Sequence, residues 1–401
     1  MPVYLDAIPE VAPQIHRPDT RRWLYFLGAI MVIGNAMTFG LWTAERTGPV
    51  FWFMASGLPF CLWGLMFSIR RLGYKCDQVW AVSWDCERLQ LLTEETTRGQ
   101  RFAWILNSGI ITQLGTGPEK LLKAIKSAES QLHVQIPRAG GMPVRHSRLP
   151  GFNDHQQSQD LDLGMKTIVS QIKPVLAKVP VSVPCGLMVD CDITGVQDAD
   201  EQILNLLMSQ TGRRFRLLRT KGLTAFDLWL DEEWEQPAVF VSISAVVRAM
   251  PQEDEGEAMT WALLLNRYHS DFPDAVRLHR PEKGSINTLS KTLGRALLWS
   301  KTSAEMVKGA FTTGNTLAVG GEWSSACEEN GLVFSMTEES RDVDQTTGYT
   351  GKAAAWIATI LAATLAQQGG SQIVVAETDT AEIWVVGITP GDKTGINQDL
   401  L

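Results

Sequence analysis

Two long apolar runs stand near the start of the chain, Trp23 to Ala44 and Val50 to Ile69, separated only by Glu45-Arg46-Thr47-Gly48-Pro49. Each has the roughly 20 residues a helix needs to cross a hydrocarbon core about 30 Å thick. The short polar turn leaves no room for a folded unit between them, so the pattern predicts a transmembrane helical hairpin over residues 23–69. Trp23, Tyr25, Trp42 and Trp52 lie near the ends of the runs, where aromatic belts form. A cleaved signal peptide fits poorly, because a second span follows at once and no small-x-small site ends the first. A buried core hairpin fits poorly too, given two adjacent runs of this length with aromatic and basic ends. Ala36-x-x-x-Gly40 offers a small-residue face for packing the two helices together.

Beyond the hairpin the periodicity changes. Residues 1–22 are a short lead, 77–135 a membrane-proximal α/β segment, 136–160 a linker or long loop without periodicity, and 161–390 a main α/β domain. Pro118 starts a helix with Leu121, Leu122, Ile125 and Ala128 on one face. From 161 onward helices and strands alternate. Helices are expected over Leu161–Ala177, Ala199–Met208, Ser285–Trp299 (with Ser285 as cap) and Thr350–Gln367, the last ended by Gly369-Gly370. Strands are expected over Val181–Val189, Phe215–Leu218 and Ala238–Ile243; Leu223–Trp234 is a Trp-bearing segment, and Leu263-Leu264-Leu265 is ambiguous. Two strands joined by Thr378-Asp379-Thr380 close the chain as an antiparallel hairpin. The expected fold class is α/β, with a large mixed sheet following the hairpin.

Charge orients this picture. Arg17, Arg21 and Arg22 precede the first run and Arg70, Arg71 and Lys75 follow the second, so the positive-inside rule places both termini in the cytoplasm, beneath a bacterial inner membrane. Lipid is then the partner of residues 23–69. A net charge of −8 argues against nucleic acid, whose phosphates need a basic face. The six cysteines are scattered without a C-x-x-C pair and are expected to be reduced, so neither disulfides nor a structural metal are expected, and no cofactor motif is present.

The end of the chain carries a family likeness. Thr347-Gly348-Tyr349-Thr350-Gly351-Lys352, a small-residue helix, Gly369-Gly370 and a hydrophobic hairpin together resemble the C-terminal part of thiolase-fold condensing enzymes, the β-ketoacyl synthases among them. Gly320-Gly321-Glu322-Trp323 with Ala326, Glu328 and Glu329 is similar to an Asn-Gly-Glu stretch of that family, and Gly256-Glu257-Ala258 to its mid-chain strand. The resemblance spans about residues 180–390. It implies a dimer-prone body of five α/β/α/β/α layers, a nucleophilic cysteine at a strand-to-helix elbow and a proton-handling histidine in a Gly-His-Thr segment. Here Tyr349 stands where that histidine would be, in the degenerate motif Gly348-Tyr349-Thr350-Gly351. A phenol with a pKa near 10 does not handle protons at neutral pH without a large perturbation. Cys185, Cys191 and Cys327 are thiol candidates by rough position, but none lies in a small-residue elbow. All six histidines (16, 133, 146, 155, 269 and 279) fall outside the matching motifs; His133 and His146 read as surface residues.

Leu187-Met188-Val189-Asp190-Cys191-Asp192-Ile193-Thr194 is a second candidate. A hydrophobic strand running into Asp-x-Asp-x-Thr resembles the first motif of haloacid-dehalogenase-type phosphatases, which implies an attacking Asp190, an acid/base Asp192 and a bridging Mg²⁺. Ser242 at a strand end would stand for the second motif and Gly391-Asp392 for the acidic fourth, although the second acidic residue of that motif is absent at the expected offset. The plainer reading is a strand ending in turn-forming acids. Glu253-Asp254-Glu255 and Asp231-Glu232-Glu233 read as solvated faces.

Taken together these patterns predict a non-enzymatic membrane-anchored adaptor or scaffold, homo-oligomeric, whose cytoplasmic body binds protein partners. Its layout resembles adaptors associated with type VI secretion machines. The tryptophans of the stretch around Asp227 (Trp229 and Trp234), with Trp261 and Trp323, form the pool for a partner-binding hot spot. The alternative is a membrane-bound enzyme: a thiolase-like acyl transferase using Cys185 or Cys327, or an Mg²⁺ phosphatase using Asp190 and Asp192.

Overall fold

The structure, a computed structural model, describes residues 3–43, 45–150, 157–196 and 198–391, without the side chains of 157–162. It divides into two compact units, Tyr4–Thr96 and the chain from Thr97 onward.

In the first unit helix α1 (Thr20–Leu41) begins at Asp19, whose carboxylate caps the Arg21 amide. Helix α2 runs without a break over Pro49–Gly99, 51 residues, with a π-helical turn at Phe53–Gly57. At 1.5 Å per residue that is about 77 Å, more than twice the thickness a membrane span needs. Both helices are long and apolar enough to cross a membrane, and their apolar windows are 0% and 17% buried, so a soluble core does not account for their composition. The two helices meet at Gly34, where a Cβ would lie 2.3 Å from Pro59, and at Thr38, whose hydroxyl bonds the Met54 carbonyl at 3.3 Å. Ala36 and Gly40 face outward, so the small-residue face expected from sequence sits two positions too late. Trp63 donates to the Trp23 carbonyl at 2.8 Å, and Phe67 packs on both rings. The expected segment 77–135 is divided: residues through Gly99 continue α2, and the rest enters the body.

The body is one β-α-β-α-β-α-β-β pattern written twice. In the first half strands β1 (Phe102–Thr112), β2 (Cys185–Ile193), β3 (Phe215–Leu217), β4 (Val239–Val247) and β5 (Ala258–Leu265) lie in the order β3-β2-β4-β5-β1. In the second half β6 (Val276–His279), β7 (Val307–Thr313), β8 (Ser340–Asp342), β9 (Ser371–Glu377) and β10 (Ile383–Thr389) repeat it as β8-β7-β9-β10-β6. The second, third and fourth strands of each half in chain order are parallel, and the fifth runs against its neighbours. Strands β1 and β6 join the halves, Phe102 opposite His279.

Five layers result. Helices α3 (Gln157–Leu176) and α4 (Ala199–Thr211) cover the outer face of the first half. Helices α6 (Leu289–Ser300) and α7 (Glu322–Glu329) cover that of the second. Between the halves lie α5 (Gly222–Glu232) and α8 (Ala354–Gln368), packed into one core with Phe240, Leu264, Phe311 and Val386. Strands covered on both faces are apolar at nearly every position, as in the fully buried β4. The ambiguous leucines 263–265 end such a strand.

Strand β2 starts four residues later than the expected Val181, because Pro180 and Pro184 supply no ladder N–H, and it runs on through Asp190 and Asp192. The stretch expected as a linker is docked as far as it is described. Val144–Ser147 pairs with His133–Gln135 and Glu255–Gly256, and Arg138 forms a buried bidentate pair with Glu257 at 2.9 and 2.6 Å. His146 is consequently buried, not a surface residue, while His155 lies outside the described residues.

Candidate active site

The duplication produces two equivalent elbows. After β3 the chain passes Leu218-Arg219-Thr220-Lys221 and enters α5 at Gly222, with φ of 58°. After β8 and a helical turn at Asp344–Thr347 it passes Gly348-Tyr349-Thr350 and turns toward α8 at Gly351, with φ of 50°. An L side chain is strained at such angles, so glycine is the residue that allows the chain to turn from strand into helix in so few steps. Neither elbow has a side-chain cap, leaving first-turn N–H groups available. Both elbows line one cleft of about 300 Å³, closed on its far side by the hairpin tip Thr378–Thr380 and by Trp384.

Each elbow brings a lysine. Lys221 donates to the Val189 carbonyl and to the Asp200 carboxylate. Lys352 donates to the Cys191 carbonyl at 3.1 Å, and its ammonium lies 3.5 Å from Asp190. Burial raises the Asp190 carboxyl above its ordinary range, against the pull of Lys352 and Lys221. The Tyr349 hydroxyl donates to Asp379 at 2.8 Å; burial first, and then that carboxylate, push the phenol above its already high value. Tyr349 is thus a fixed donor and no proton shuttle.

Next to the second elbow, Thr313 and the Gly314 amide donate to Asp344 at 2.7–3.0 Å, and burial pushes this carboxyl up to about 7. Asp190, Ser244 and Thr260 lie in register across β2, β4 and β5, on the face turned toward the Gly351 elbow. The hydroxyls of Ser242, Ser244, Thr260 and Thr350 are buried without a hydrogen-bond partner among the described residues and form a polar patch in the interior.

The thiols lie elsewhere. Cys185 starts β2, Cys191 lies near its end and Cys327 sits in outer helix α7. Burial raises all three, Cys191 and Cys327 to about 12, so each is held as the inert thiol. Asp190 and Asp192 do share a strand face, but each already has a cation, Lys352 and Arg248, both at 3.5 Å. Ser242 is buried mid-strand, not at a strand end, and Asp392 lies outside the described residues. Among the described residues no group of three or more His, Cys, Asp or Glu could hold a metal, so this donor set does not fit a bridging Mg²⁺.

Of the tryptophan pool, Trp229, Trp261 and Trp323 are core residues at 1%, 3% and 6% exposure. Trp261 and Trp323 donate inward to Asn107 and Ser340. Trp234 is half-buried between the guanidinium groups of Arg101 and Arg267. They form no surface patch. The sequence reading missed Lys221 and Gly222; the signal was the strand Phe215–Leu218 followed within five residues by a glycine that opens a helix.

No family model and no curated protein matches this chain. Solved structures do. The ketosynthase from module 1 of the bacillaene synthase from Bacillus amyloliquefaciens FZB42 is 8% identical with a TM-score of 0.55, covering 74% of each chain. Ketosynthase twelve of the bacillaene polyketide synthase of Bacillus amyloliquefaciens is 8% identical with a TM-score of 0.54, covering 73% of this chain and 76% of that one. A type II polyketide synthase acyl-carrier protein in complex with its ketosynthase bound to the hexaketide matches at 12% and 0.52, over 72% of this chain and 99% of that one. The body therefore has the thiolase-like fold. These matches overturn the reading of a non-enzymatic adaptor: the part expected to be a docking module has the fold of a ketosynthase, and the likeness to type VI secretion adaptors finds no support.

Proposed function

We propose that this chain is a membrane-anchored, ketosynthase-fold enzyme that moves acyl groups from thioesters directly to an acceptor, without forming an acyl-enzyme on a cysteine. The observation that carries this reading is the shared cleft: both elbows of a ketosynthase-like body open onto it, and Lys221-Gly222 occupies the elbow at which the family resemblance implies a cysteine. The uncapped N–H groups at Gly222 and Gly351 suit the oxyanion that forms when a thioester carbonyl is attacked. Asp190, made more basic by burial, takes the proton of the acceptor. The acyl–sulfur bond breaks as the acyl–acceptor bond forms, and the same proton passes to the leaving thiolate. Lys352 positions Asp190, and the Tyr349–Asp379 pair fixes the opposite wall.

One matched structure contains an acyl-carrier protein, which supports a carrier-borne thioester as the donor. The two apolar helices support an enzyme anchored in a bacterial inner membrane, and the flanking arginines and lysine support termini on the cytoplasmic side.

The test is thiol release from acyl-phosphopantetheine thioesters of graded chain length by the full-length protein in lipid nanodiscs. The variant Asp190→Asn is expected to release thiol about 10²–10³-fold more slowly. A variant with Cys185, Cys191 and Cys327 all changed to alanine is expected to stay within a few-fold of the parent. Absence of both turnover and binding at every chain length sinks the reading; loss of turnover in a folded cysteine-free variant returns the chemistry to a thiol.

A further inference from the structure

The N-terminal unit contains a pocket of its own, of about 390 Å³, lined by Arg17, Pro18, Thr20, Phe67, Arg71, Tyr74 and Lys75. It is assembled from two segments. The extended lead is strapped along α2: Arg88 donates to the Pro9 carbonyl at 2.8 Å, Trp84 to the Glu10 carbonyl at 3.1 Å, and the Ala12 amide to Asp85 at 2.9 Å. Continuing in that direction the lead brings Arg17 beside Arg71 and Lys75, two and six residues past the end of the second apolar run. Three cations thus converge with no carboxylate in the lining. The nearest acid on the lead, Asp19, is engaged by the Arg21 amide and by Arg22 at 3.4 Å.

The height of this pocket is marked by its neighbours. Trp23, Trp63 and Phe67 form an aromatic cluster, with ring centroids 5.2 and 5.5 Å apart, at the ends of the apolar runs. Tryptophan clusters of this kind lie at the bilayer's interfacial level, where lipid phosphates are found. Like charges crowded at such a place repel unless an anion lies between them. Guanidinium forks bind phosphate oxygens in pairs, while Phe67 and Tyr74 offer apolar surface to glycerol and the first methylenes.

We propose that this pocket is a specific site for the phosphate headgroup of an anionic phospholipid, one per chain, distinct from the general attraction of basic flanks to the membrane. Arg17 and Arg71 grip the phosphate oxygens, Lys75 supplies a third charge, and the Thr20 hydroxyl at the start of α1 donates. The site is independent of the acyl-transfer reading.

Native mass spectrometry of the full-length protein, released from detergent with added phosphatidylglycerol or phosphatidylcholine, tests it. One phosphatidylglycerol should be retained and phosphatidylcholine should not. The Arg17→Gln/Arg71→Gln/Lys75→Gln variant should weaken retention on the order of a hundredfold, at about 1 kcal/mol per charge. Arg21→Gln/Arg22→Gln/Arg70→Gln removes equal charge at the same level outside the pocket and should change it only a few-fold. Because charge loss can alter insertion, Arg17→Lys/Arg71→Lys keeps the charge and removes the forks; it should still weaken retention several-fold. Equal losses in the two glutamine variants, or no change in the lysine variant, overturn the proposal in favour of diffuse attraction. Binding of soluble glycerol 3-phosphate as tightly as the lipid overturns it in favour of a soluble phosphate ester.

Discussion

Helix α5 enters the middle layer through Lys221-Gly222 and leaves it at a cluster of charges, whereas α8 enters through Thr350-Gly351 and is apolar almost to its end. The strand order around them is the same. At the far end of α5, Arg280 is buried to 1% and binds Asp227 at 2.5 Å and Asp231 at 2.8 Å; Arg98 and Arg101 converge on Asp231 as well. In α8, ten residues from Ala354 to Ala366 are buried, and no charged side chain interrupts the helix. One topology thus tolerates two ways of holding its central helix, one by directed ion pairs and one by packing. The contrast separates the two halves: the ionic lock fixes α5 at its far end, while its uncapped start lines the cleft.

Breaking the ionic lock should have the largest effect. Arg280→Met leaves Asp227 buried without its partner, at an expected cost of about 3–5 kcal/mol, read as a fall in unfolding midpoint. Asp227→Leu in the same chain should restore part of the loss, since the stranded charge is then gone. Failure of the double variant to recover would mean that the arginine acts through packing. The lock also has a pH signature. Burial alone would raise Asp231, but hydrogen bonds from Arg98 and Arg280 overcome it and hold the carboxyl at about 2, below its ordinary 3.8. Its contribution is therefore present above about pH 4 and lost as pH falls through 2. On the packed side, Ile360→Ala in α8 should cost about 3 kcal/mol by leaving a cavity, with no such pH dependence.

A pH effect of opposite sign is expected at the second elbow. Asp344 is raised to about 7 in the folded chain, so folding is favoured while it is protonated. That advantage is full below the unfolded value near 4 and is lost as pH rises through 7. Asp344→Asn keeps one acceptor for Thr313 and Gly314 and removes the ionisation. Its stability relative to the parent should rise between pH 4 and 7 and level off above that. A flat difference across the range would place the carboxyl's titration elsewhere.

How much of this was legible beforehand differs between the halves for the same physical reason. Helix α8, its terminating Gly369-Gly370 and the closing hairpin could be read because apolar runs and glycine punctuation are local signals. The Gly348–Gly351 loop carried enough of that signal to suggest the thiolase fold. Helix α5 registered only as a Trp-bearing segment, since Asp227 and Asp231 interrupt its apolar face; their partners Arg98 and Arg280 are about 130 and 50 residues away. The acids read as a solvated run at Asp231-Glu232-Glu233 include one that is locked in that network. Cys185 and Cys327 drew attention as thiols, but only the tertiary fold shows which residue an elbow carries. The docked loop behind Arg138 looked like a linker because a single buried pair with Glu257, 119 residues away, replaces any periodic pattern.

The finest contrast lies at the two glycines themselves. Gly222→Ala and Gly351→Ala each place a β-carbon at positive φ, a strain of about 1–2 kcal/mol that should be common to both. Their surroundings differ. At Gly222 the new methyl meets nothing within 4 Å, because the elbow opens onto the cleft. At Gly351 it would lie 2.8 Å from a guanidinium nitrogen of Arg248, whose other contacts are Glu255 at 2.6 Å and Asp192 at 3.5 Å. That side chain can swing aside, so Gly351→Ala should be the less stable of the two by only a few tenths of a kcal/mol. Thiol release gives the sharper reading. If both elbows grip the thioester carbonyl, each alanine lowers turnover, because a methyl at either glycine screens the uncapped N–H groups behind it. Loss confined to Gly222→Ala would assign the oxyanion to the first elbow alone and leave Tyr349, Thr350 and Gly351 as a wall of the cleft.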